Sequence, residues 1–102
     1  MQRIRNSFWA LLGRQTPEAP AVVVERVRLA MLWALDAHGD KDLGKLNRSI
    51  LGARDLTDLW YLRPDLMQAI AARRDEATAQ RVLRSITELF KGHFSGANDS
   101  RF

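Results

Sequence analysis

The chain has 102 residues, 16 basic against 12 acidic, no cysteine and a formal charge of +4. That length suits one domain of about 100 residues with a single core. The missing thiols exclude disulfide frameworks, cysteine nucleophiles and Cys-ligated zinc, and point most simply to the cytoplasm.

Residues 3–12 carry Ile4, Phe8, Leu11 and Leu12 at i, i+4, i+7 and i+8. This predicts a short amphipathic helix stopped by Gly13. Its apolar core, Phe8 to Leu12, is too short for the ~7–15 residues of a signal-peptide h-region. The same segment could lie on a membrane surface, but no apolar run approaches the ~20 residues of a membrane span. The loop that follows offers two helix starts, Thr16–Pro17 or Pro20, because proline suits a first helical position.

The second predicted helix covers 18–38, with Val24, Val27, Met31, Ala34 and Leu35 on the core face and Gly39 as a left-handed C-terminal residue. Glu25, Arg28 and Asp36 mark its wet side, yet Leu29, Leu32 and Trp33 lie on or beside that same side. A helix apolar nearly all round is either central in a bundle or covered by a partner. Asp42 is placed to cap a helix through residue 51 that turns Leu43, Leu46, Ile50 and Leu51 inward, with Gly52 ending it.

Residues 55–72 contain "LWYLRPDLM". Pro64 cannot donate and crowds the carbonyl four residues back, so this segment is one kinked helix or two helices meeting near Arg63. Trp60 falls on the core face, and Tyr61 and Arg63 on its rim, where Arg63 can stack on a ring or pair with Asp58 or Asp65. Asp42, Asp55, Asp65 and Asp75 each precede or open a helical segment, which helix capping and the dipole explain without catalysis. The last helix spans 75–91, with an expected i,i+4 pair between Arg84 and Glu88. Residues 95–102 read as a mobile tail to a domain of residues 1–94.

These segments make an all-α protein, a small irregular bundle of about five helices. In composition it resembles small Arg- and Ala-rich bacterial proteins, a resemblance that no motif carries. Asp36, His38, Asp40 and Asp42 alternate as in a calcium loop, but Lys41 and Asn47 stand where that loop needs glycine and glutamate. Nucleophile-elbow, zinc-helix, phosphate-loop and dinucleotide signatures are missing, so no catalytic, metal or cofactor site is expected. The function that fits is a protein-interaction module, self-associating as a homodimer. Its candidate interface residues are Leu29, Leu32, Trp33, Trp60, Tyr61 and Arg63, since aromatics and Arg are enriched at binding hot spots. Nucleic-acid binding through a basic helical surface is the alternative. Asp55 and Asp58 near the start of a recognition helix oppose it, and no helix clusters the base-reading side chains.

Overall fold

Residues 19–39 and 43–94 are described by a computed structural model. The predicted helix 3–12, the Asp42 cap and the tail 95–102 lie outside the described residues.

Five helices run through the described residues: α1, Pro20–His38; α2, Gly44–Gly52; α3, Leu56–Trp60; α4, Arg63–Arg73; and α5, Glu76–Phe90. No strand occurs among these residues, and the all-α expectation holds. Pro20 takes the first position of α1, which decides between the two starts. Its core face buries Val23, Val24, Val27, Met31, Ala34 and Leu35. Around it gather α2, α3, α4 and α5, so α1 is the central helix. Fully buried Met31, Ile50, Leu59, Leu66, Ile70, Leu83 and Phe90 join these helices in one core.

Gly39 departs from expectation. Its backbone is extended, φ −101° and ψ −168°, rather than left-handed. The reason for glycine here is space. A Cβ would stand 2.6 Å from the Leu35 carbonyl oxygen and 2.7 Å from Leu43 Cδ1. Leu51 also corrects the sequence reading: it points outward, half exposed, while Ile50 alone of α2 is fully enclosed. Neighbouring side chains on a helix diverge by about 100°, and of this pair Ile50 lies on the side that meets the core while Leu51 turns toward solvent.

The 55–72 segment is two helices. Tyr61 and Leu62 form the turn between α3 and α4, and Pro64 occupies the first turn of α4, where its missing N–H breaks no helical bond. Asp55 caps α3 by accepting from the Asp58 N–H at 2.9 Å, and Asp58 in turn accepts from the Arg54 N–H at 2.9 Å. Asp75 caps α5 through the Thr78 N–H at 2.7 Å. At the far end of α5, Glu88 pairs with Lys91 at 2.6 Å rather than with Arg84.

Candidate docking surface

On the solvent side of α1, Val22, Leu29 and Trp33 recur at i, i+7 and i+11. At about 100° per residue they fall within an arc of about 40°, opposite the Met31 side that faces the core. Leu29 is 63% exposed and Trp33 68%. The all-round apolar character of this helix therefore has two sources: one side is central in the bundle, and the other is uncovered by the described residues. Leu32, grouped with them by sequence, is half-buried and packs against the core. Exposed Glu25 and Asp36 border the stripe on one side and exposed Arg26 on the other.

Trp33 also forms one wall of an open groove of about 510 Å³ between α1 and α5. Ala30 and Ala34 line it from α1, and Val82, Ile86 and Leu89 from α5, with Arg81 and Ser85 as its polar members. The ring of Trp33 meets His38 edge-on, centroids 6.3 Å apart, so it has a neighbour along its own helix. Stripe and groove together form a continuous apolar surface around Trp33. Val22 and the groove were missed by the sequence reading. The pair Ala30–Ala34 was the available signal, since small residues one turn apart leave room between packed helices.

Arg28 braces this face from its edge. Its Nε–H donates to both oxygens of Glu25 at 3.2 Å, and its terminal nitrogen donates to the carbonyls of Ile50 at 2.7 Å and Leu51 at 3.0 Å. Those carbonyls end α2, where the Ile50 carbonyl also accepts from the Ala53 N–H at 3.3 Å, so one guanidinium both adds to the cap of α2 and fixes it to α1. Arg74 does the same for α1, donating to the Ala37 carbonyl at 3.2 Å.

The second candidate patch is mostly interior. Arg63, expected on the rim, is only 6% exposed. Its guanidinium carbon lies 3.3 Å from the centre of the Trp60 ring, its Nε–H donates to the Trp60 carbonyl at 3.2 Å, and its terminal N–H donates to Thr87 Oγ at 2.9 Å. Burial lowers its pKa to about 10, still far above neutrality, so the group is a cation at pH 7. Trp60 is itself half-buried, with Phe90 at 5.1 Å and Phe94 at 5.0 Å between ring centres. The opening of α4 is thus held to α3 by arginine over indole and to α5 by the hydrogen bond to Thr87. Tyr61 alone of this trio is open to solvent, at 71%.

No group of three or more metal-ligating side chains gathers among the described residues. No helix among them is long and apolar enough to cross a membrane. The chain matches no protein-family model, no curated protein and no solved structure.

Proposed function

We propose that this is a non-enzymatic protein-interaction module that self-associates through the outward face of α1. The observation that carries the reading is the exposure of Leu29 and Trp33 beside an apolar groove, on the same face as Val22. Water around such side chains is released when a second apolar surface covers them, at roughly 25 cal/mol per Å². A copy of the same face is a self-complementary occupant: two α1 helices pack across a two-fold axis with each Trp33 reaching the other chain. Glu25 and Asp36 at the border keep the rim polar, as in interfaces between folded proteins.

Nucleic-acid binding has less support. The exposed face is apolar with a border of mixed charge, Glu25 and Asp36 beside Arg26, and Arg28, Arg63 and Arg74 are engaged in holding helices together. A phosphate-binding surface would need its cations free and on one face. Titration of mixed oligonucleotides at two salt concentrations separates the readings, because phosphate contacts weaken steeply as salt rises.

The test of self-association is light scattering on the wild type and on Leu29→Asp, with circular dichroism to check the fold. Leu29 is the better probe than Leu32, which also serves the core. The expected result is a wild-type dimer and a folded, monomeric Leu29→Asp. A wild type that stays monomeric at every concentration removes self-association from the proposal.

A further inference from the structure

We propose that residues 3–12 of the same chain dock on the outward face of α1 and compete there with the second copy. This rests on the reading of that face as a docking surface and adds its regulation. The observations are the bare stripe, the apolar period of residues 3–12, and the place where the chain enters α1.

The spacings match. Ile4 and Phe8 are four residues apart, as are Leu29 and Trp33, so an antiparallel helix can set Phe8 on Leu29 and Ile4 on Trp33. Leu11 and Leu12 then fall between Leu29 and Val22. Leu12 would stand at the level of residues 25–26, about 8 Å along α1 from Pro20. An adjacent helix axis is a further ~8–10 Å away. Residues 13–19 number seven and reach up to about 23 Å when extended, enough to close this hairpin without strain. Charge is mixed along this seat: Arg3 comes level with Ala34, near Asp36, while exposed Arg26 borders the stripe on its other side. Arg81, on the opposite wall of the groove, is the like charge that disfavours a deeper seat there.

A tethered segment meets its site at an effective concentration in the millimolar range, far above that of a second chain in dilute solution. Docking in cis therefore weakens the dimer without any change in the dimer contact itself. Releasing the segment strengthens self-association.

Because the chain has no cysteine, introduced thiols report contacts without background. The full chain carrying Ser7→Cys and Asp36→Cys is treated with a short bis-maleimide, beside a control carrying Ser7→Cys and Tyr61→Cys. The expected result is an intramolecular cross-link about tenfold or more faster in the first, independent of protein concentration, as tethered docking implies. Adding Phe8→Asp should remove the advantage. Equal rates in the two double variants, cross-linking only between chains, or an advantage that survives Phe8→Asp would overturn the proposal. A wild type that light scattering finds always monomeric, with the cis cross-link intact, would instead end the self-association reading and leave cis docking standing.

Discussion

An arginine laid flat on an indole inside a helix junction gives up much of its hydration, and Arg63 recovers interaction energy from the Trp60 ring, the Trp60 carbonyl and Thr87. A lysine ammonium cannot reproduce both the planar stack and the forked donors. Arg63→Lys should therefore destabilise the fold by about 1–3 kcal/mol, in line with hydrogen bonds to charged groups and a desolvated cation–π contact. Thr87→Val, which removes the accepting oxygen at nearly constant volume, should cost about 1–3 kcal/mol. Urea denaturation measures both, and changes under about 0.5 kcal/mol would mean that the stack is incidental. The lowered pKa of Arg63 makes burial oppose its charge, so any linked pH dependence lies above about pH 10, where the unfolded chain holds more protons. Near neutrality Arg63 is charged in both states and contributes no slope.

Helix boundaries bring together backbone groups that need partners and side chains that need room. At Gly39 an added Cβ collides with a backbone oxygen, which cannot swing aside. Gly39→Ala should cost about 1–3 kcal/mol by overpacking. At Gly52, the last residue of α2, a Cβ meets nothing within 4 Å, and Gly52→Ala should be neutral or stabilising by up to about 1 kcal/mol. Thermal melts of the two variants should move in opposite directions or differ clearly; equal shifts would contradict this account of Gly39. Asp75 gives the pH signature of a cap. The Thr78 N–H, and then its hydroxyl, hold the Asp75 carboxyl below its ordinary value. A depressed folded pKa means the contribution is complete above the unfolded value and disappears as pH falls through the folded one. Stability should thus decline below about pH 4, and Asp75→Asn should flatten part of that decline in melts compared at pH 7 and pH 3.

At this scale the sequence was readable where one signal acted alone. Asp55 and Asp75 predicted their caps, and Pro64 marked the junction of α3 and α4. The errors arose where a second element decided. Leu51 follows the inward period, but its carbonyl and that of Ile50 are gripped by Arg28 from α1, and its side chain is left outward. Arg63 looked like a rim residue because its stacking partner and Thr87 come together only when α3, α4 and α5 pack. Glycine at position 39 was legible, but its reason depended on an extended backbone that sets the Cβ position against the Leu35 carbonyl, and on Leu43 of the following segment.

Across the whole molecule, the helix at the centre of the bundle is also the one with the bare apolar face, since α2, α3, α4 and α5 leave one side of α1 uncovered among the described residues. Sequence periodicity detected the excess of apolar residues on α1 but could not apportion them between core and surface. The structure assigns Leu32 toward the core and Leu29 and Trp33 to solvent. Trp33→Asp should leave the melting temperature of the monomer nearly unchanged. It should weaken self-association about thirtyfold or more, equivalent to losing ~2 kcal/mol from an interface aromatic. The most direct measurement is a dilution series of amide chemical shifts on the full chain. Concentration-dependent shifts are predicted to map onto the outward positions of α1 from Val22 to Asp36 and onto the α5 wall of the groove, with Tyr61 unaffected. Shifts centred on Tyr61, or none across the concentration range, would contradict the assignment of α1 as the self-association face.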